Sequence, residues 1–238
     1  MNFIFSIFSF KAVITFLLTS LPAILLVLYF YLSEKFKIDK KIIIKVFIAG
    51  VLITLPAGEL NSFILKTFSN ENEINDALLI GFFAGGLVEE LLKFSVLYFF
   101  VLKKFGFKKS SDAIIYGIAC SLGFATLENF EYVYLNNGDY THLSVASLRA
   151  ISAIPMHGLN GIVMGFYFGF FAVHNNNKFL GYCILLPIIF HGTYNFLTDF
   201  NFLFAICVLI IMAVFVRQLY KDFKIDFRLT KNIKNLYS

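Results

Sequence analysis

The chain has no tryptophan, only three cysteines and few charges: 15% of its 238 residues are Asp, Glu, Lys or Arg, against 59% hydrophobic. Each shortage excludes something. With a mean hydropathy of +0.79, the polar residues are too few to cover a soluble domain, so the chain belongs in a membrane. Without Trp, lipid contact and interfacial anchoring fall to 32 Phe and 12 Tyr. Cys120, Cys183 and Cys207 all lie inside apolar runs, which excludes a disulfide framework, and no CxxC offers a metal pair. The HExxH helix and the GxSxG elbow are absent as well, which removes the ordinary zincin and serine-hydrolase settings. No internal repeat, low-complexity linker or second domain interrupts the chain. Met1–Phe10 is apolar, without a basic n-region or a small-residue cleavage pattern, and predicts an uncleaved anchor rather than a signal peptide.

What is present is a series of apolar runs long enough to cross a bilayer. They predict an all-α, polytopic membrane bundle of seven spans, at about 11–32, 42–57, 77–102, 112–134, 145–173, 178–198 and 202–220. The second is short and ends in Pro56-Ala57-Gly58-Glu59, so residues 42–68 read as one span, two, or a bent or re-entrant piece, and an eighth span follows if they hold two. Residues 1–238 form one transmembrane domain with a core at 77–198 and a basic tail at 221–238, expected near anionic lipid. The net charge of +5 does not imply nucleic acid, because the cations sit in short loops between spans. Sixteen of the 20 Lys and Arg fall in the loops at 35–45, 103–109 and 178 and in the tail from Arg217. The opposite side keeps Lys11, Lys66 and Arg149. That bias predicts the N-terminus outside and the C-terminus in the cytoplasm.

Against this background the ionisable groups inside the spans stand out, since each is expensive in hydrocarbon. The third span carries Glu89, Glu90 and Lys93, spaced i,i+4 and i,i+3, so that the lysine can neutralise either carboxylate. Gly81, Gly85 and Gly86 precede them and permit close helix approach. The fourth span holds Glu128-Asn129. In the fifth, His157, Gly161, Gly165 and Gly169 recur every four residues on one face, and in the sixth His191 and Asn195 lie one turn apart. Counted from the outer ends of their spans, Glu89 and His157 lie about 18 Å deep and His191 about 10 Å at 1.5 Å per residue. All fall in one slab between the midplane and the outer surface, as one water-filled site requires.

Glutamates, two histidines and a side-chain amide can activate water, protonate a leaving amine and hold an oxyanion, which are the needs of amide hydrolysis. Glu89 is the candidate base, braced by Glu90 and Lys93, with Glu128 and Asn129 completing the set and Asn195 holding the oxyanion. His157, His191 and Glu128 form a candidate two-histidine, one-carboxylate site for a divalent metal such as zinc. A metal-free glutamate mechanism fits the same residues equally well. The alternative from another class is a proton-coupled transporter with a Glu/His relay, which would call for paired half-helices and repeated halves.

The ordered motifs Glu89-Glu90-x-x-Lys93, Phe124-x-x-x-Glu128-Asn129, His157-x-x-x-Gly161-x-x-x-Gly165 and His191-x-x-x-Asn195 resemble those of the PrsW family of intramembrane proteases. That family is related to the CAAX-prenyl-protease and bacteriocin-processing clan, which has a histidine where this chain has Glu128 and an arginine near Lys93. The resemblance covers about residues 77–198, and it departs from the family at Asn195, where Asp is frequent. It implies cleavage of a single-pass membrane-protein substrate, of anti-sigma-factor type, near the extracytoplasmic side of the bilayer. Neither oligomeric state nor substrate identity is legible in the residues.

Overall fold

The computed structural model describes residues 10–33, 38–70, 72–105, 110–135 and 140–236. Eight helical elements follow one another, with no strand among the described residues. They are α1 (Phe10–Ser33), α2 (Lys40–Phe68), α3 (the unbroken run Glu73–Leu78, Leu79–Glu89, Glu90–Ser95 and Val96–Phe105), α4 (Ser110–Phe130, continued by Glu131–Leu135), α5 (His142–Ile151), α6 (Ala153–His174), α7 (Asn177–Phe200) and α8 (Phe202–Leu236). Six helical stretches are long and apolar enough to span a bilayer, α5 and α6 counting as one. With α3, the chain is a polytopic helical bundle. Most of Met1–Phe10 and parts of two basic loops, 34–37 and 106–109, lie outside the described residues.

Helix starts are written in local chemistry. Asp39, Asn72, Thr141 and Asn176 each place a side-chain oxygen on a first-turn amide, at 2.9, 3.1, 3.2 and 2.9 Å, satisfying donors that the helix itself leaves open. Asn175 closes α6 in the left-handed region, φ 48°, its N–H donating to the Phe171 carbonyl at 2.8 Å. Between α5 and α6 the chain breaks at Ser152, φ −126° and ψ −67°. Pro155 supplies the reason, because it has no N–H for the Ile151 carbonyl and its ring crowds that turn. The segment read as one fifth span is therefore two helices. In α2 the outcome is the opposite: the helix runs through Pro56 and Gly58 without a break to Phe68, so residues 42–68 belong to one helix, eleven residues longer than the span read at 42–57.

α4 and α6 form the centre. In the apolar windows of α4 and of the α5–α6 stretch 78% and 61% of residues are buried, against 17–28% in α1, α2, α7 and α8, whose exposed faces carry Leu, Ile, Phe and Val for lipid. The centre is tight because it lacks side chains at the crossing. A Cβ on Gly161 would sit 2.7 Å from the Gly117 carbonyl and 2.9 Å from Ile118 Cα, so the α4 and α6 backbones meet through glycine. Parts of α3 are wound as π-helix, Leu79–Glu89 and Val96–Phe105, a rare winding found at functional sites. The first of these ends on Glu89.

Candidate functional site

Four helices deliver the polar residues to one place. Glu89, Glu90, Lys93, Glu128, Asn129, His157 and His191 are all buried, and a chain of hydrogen bonds runs from His191 through Glu90, Lys93 and His157 to Glu128. From α3, Lys93 Nζ donates to Glu90 Oε1 at 2.8 Å and lies 3.5 Å from Glu89 Oε2, so the lysine serves both carboxylates and favours Glu90. The same ammonium stands 3.2 Å from His157 Nδ1 and 4.1 Å over the Phe124 ring, a cation–π contact.

Tautomers follow from these partners. An ammonium only donates, so His157 Nδ1 accepts from Lys93 and the proton sits on Nε2, which donates to Glu128 Oε2 at 3.0 Å. His191 Nδ1 donates to Glu90 Oε1 at 2.7 Å, which leaves the Nε2 lone pair facing Glu89 Oε2 at 3.9 Å. The two rings stand edge to face with centroids 5.0 Å apart. His157 is further fixed by Ser121, whose hydroxyl donates to the His157 carbonyl at 2.7 Å. Behind His191, Asn160 donates to the Pro187 carbonyl at 3.1 Å and so ties α6 to the turn of α7 that carries the imidazole.

Two residues enter that the sequence did not single out. Arg149, counted above as an outer-side cation, reaches from α5 to form an ion pair with Glu128, donates from Nε to Asn129 Oδ1 at 2.6 Å and lies 4.0 Å over the Tyr132 ring. Asn61 on α2 donates from Nδ2 to Glu89 Oε1 at 3.3 Å. The sequence signal for Asn61 was present in the packing stripe Gly50, Thr54, Ala57, Asn61, whose first three members are buried. It became visible once the helix was known to continue past Gly58. Asn129 is held through both ends of its amide, its Nδ2 donating to the Thr19 carbonyl of α1 at 3.3 Å. Asn195 lies one turn along α7 from His191, and its side-chain amide fills the space that a Cβ on Gly85 would take.

Could these residues hold a metal? Among the described residues, Glu89, His157 and His191 each offer a ligand atom within 4.8 Å of the others. The carboxylate joining the two imidazoles is thus Glu89, whereas the sequence reading put Glu128 there; Glu128 is engaged by Arg149 and by His157. The donor set suits a divalent cation such as zinc. Glu89 Oε2 is buried without a hydrogen-bond donor, His191 Nε2 has a free lone pair, and the Glu90 contact to His191 Nδ1 is the outer-shell arrangement that orients a metal-binding imidazole. Counted by formal charge, Glu89, Glu90 and Glu128 against Lys93 and Arg149 leave one excess negative charge in a buried cluster. His157 alone would have to give up a present partner to bind. The same two lone pairs on Glu89 and His191 also suit a water donating both hydrogens.

Residues 39–219 match the family described as PrsW family intramembrane metalloprotease. The chain is 36% identical over 178 residues to Protease PrsW of Oceanobacillus iheyensis, covering 74% of this chain and 79% of the relative. It is 34% identical to that of Geobacillus kaustophilus, with 74% and 76% covered, and 32% identical to that of Bacillus subtilis, with 74% and 78% covered. No solved structure matches it significantly.

Proposed function

Because the chain belongs to the PrsW family of intramembrane proteases, we propose that it hydrolyses a peptide bond of a single-pass membrane protein, of anti-sigma-factor type, near the extracytoplasmic side of the bilayer. The observation that carries this reading is the meeting of Glu89, His157 and His191 within 4.8 Å, three side chains from three apolar helices. A membrane protein keeps such groups together in hydrocarbon for use. The orientation that suits it is N-terminus outside and C-terminus cytoplasmic.

Glu89 takes the proton of the attacking water. The water sits between Glu89 Oε2 and His191 Nε2, two acceptors 3.9 Å apart, which turns its oxygen lone pair toward the substrate carbonyl. Glu90 holds His191 in the tautomer that keeps Nε2 an acceptor, and Lys93 ties Glu89 and Glu90 together. His157, locked by Glu128 and Lys93, walls the site, and the Asn195 amide supplies N–H groups to the developing oxyanion. Glu89 then passes the proton to the leaving amine. The same Glu89, His157 and His191 would hold a divalent cation such as zinc, which supplies Lewis acidity toward water and carbonyl when bound. The test is cleavage of a reconstituted single-spanning substrate in liposomes by the parent protein and by Glu89→Gln, Glu128→Gln, His157→Ala and His191→Ala. Full activity in all four variants beside an active parent would refute the site.

A further inference from the structure

Asn61 has two ends, and among the described residues only one finds a partner. Its Nδ2 faces Glu89 Oε1 at 3.3 Å, and a carboxylate oxygen can only accept, so the orientation of the amide is fixed. The other end, Oδ1, is buried and has no donor. The second oxygen of the same Glu89 carboxylate is likewise buried without a hydrogen bond, with the Lys93 ammonium 3.5 Å away. An acceptor left dry in this way is unfavourable unless something with an N–H or O–H fills it.

The requirement of a substrate is the converse. To be cut, a membrane-spanning segment has to unwind, and each main-chain N–H freed from its helix in a water-poor site needs an acceptor. α2 brings Asn61 to that place on its buried stripe, with Thr54 two turns away anchored to the Phe124 carbonyl of α4 at 3.3 Å. The amide is therefore presented from a rigid element beside the reactive carboxylate. We infer that Asn61 is a substrate-binding residue: its Oδ1 accepts a main-chain N–H of the unwound substrate next to the scissile bond, while its Nδ2 keeps Glu89 turned toward the water. This rests on the protease reading given above and adds a residue outside the four motifs.

A backbone-ester series tests it. A synthetic single-spanning peptide that the parent protein cleaves in liposomes is remade with one ester in place of one amide at each position flanking the cut, which deletes a single N–H. In the parent, one such ester, other than at the cleaved bond, lowers kcat/KM by roughly threefold to tenfold, the worth of one hydrogen bond. In Asn61→Leu that same ester has no further effect, because its acceptor is gone. In Asn61→Asp, which keeps an oxygen there, the ester still slows cleavage. Should the ester penalties be the same in parent and Asn61→Leu at every position, the assignment of Asn61 is overturned while the protease reading stands. A parent that cleaves no spanning peptide at all overturns both. Since the comparison is a ratio within each variant, a general loss of activity or stability in Asn61→Leu does not imitate the expected result.

Discussion

Replacing Arg149 by methionine removes the cation that holds Glu128 and leaves a carboxylate behind in a nearly dry place. The Arg149 and Glu128 side chains are 15% and 10% exposed, and removing one partner of such a pair is destabilising by about 3–5 kcal/mol. His157 Nε2 still donates to Glu128 at 3.0 Å, so the lower end, about 3 kcal/mol, is expected. At this chain length each kcal/mol moves the unfolding midpoint by about 2–4 °C, which gives a fall of roughly 6–12 °C. The assay follows from composition: with no Trp, unfolding is read by a thiol-reactive dye on Cys120 and Cys183, both buried, after the exposed Cys207 is changed to serine. The decisive comparison is the double variant Arg149→Met with Glu128→Gln, which removes the stranded charge and regains most of the lost midpoint. A single variant unfolding within 2 °C of its parent, or a double variant no more stable than the single, would refute the buried pair (thresholds set at about one standard kcal/mol by the same scaling).

Other outcomes follow from the same geometry. Glu89→Gln is expected to reduce cleavage by about a thousandfold, within the range of a lost general base, without lowering the unfolding midpoint, measured by initial rate and dye melt together. Purified protein that carries zinc or another divalent ion is expected to lose it in His191→Ala and to lose activity to a chelator, as elemental analysis beside a chelator titration would record; activity that survives complete metal removal would assign the chemistry to Glu89 alone. Gly161→Ala, whose methyl meets the Gly117 carbonyl at 2.7 Å, is expected to unfold well below the parent, whereas Gly58→Ala, with nothing within 4 Å, is expected to match it or gain up to about 1 kcal/mol. In the Cys207→Ser background, a membrane-impermeant thiol reagent should label Ser69→Cys on intact cells and Asn177→Cys only after permeabilisation; the reverse pattern would invert the proposed orientation.

The parts of this protein that could be read from sequence are those in which a single residue violates its surroundings. Glu89, Glu90, Lys93, Glu128, His157 and His191 were conspicuous because hydrocarbon does not tolerate them idly, and the glycine spacing in α6 announced a close helix approach, which the structure places against α4. What stayed hidden depended on direction and partnership. The breaker signal of Pro56 and Gly58 suggested that α2 stops, yet the helix runs eleven residues further and brings Asn61 to Glu89. The sequence reading put Glu128 beside the two imidazoles, whereas the fold brings Glu89 within reach of both and pairs Glu128 with Arg149 from α5. Arg149 itself was absorbed into a topology count, where every cation outside the hydrocarbon is one more vote. Charge balance held the clue. Lys93 is shared by Glu89 and Glu90, so a third buried carboxylate at Glu128 leaves the cluster two negative charges in excess, and a low-dielectric interior resists such an excess strongly. Of the three cations outside the basic loops besides Lys93, Lys11 lies in the first turn of α1 and Lys66 in the last turn of α2, while Arg149 alone lies between the two helices that carry Glu128 and His157. A buried carboxylate that lacks a counter-charge on its own helix therefore points to a cation on the next one.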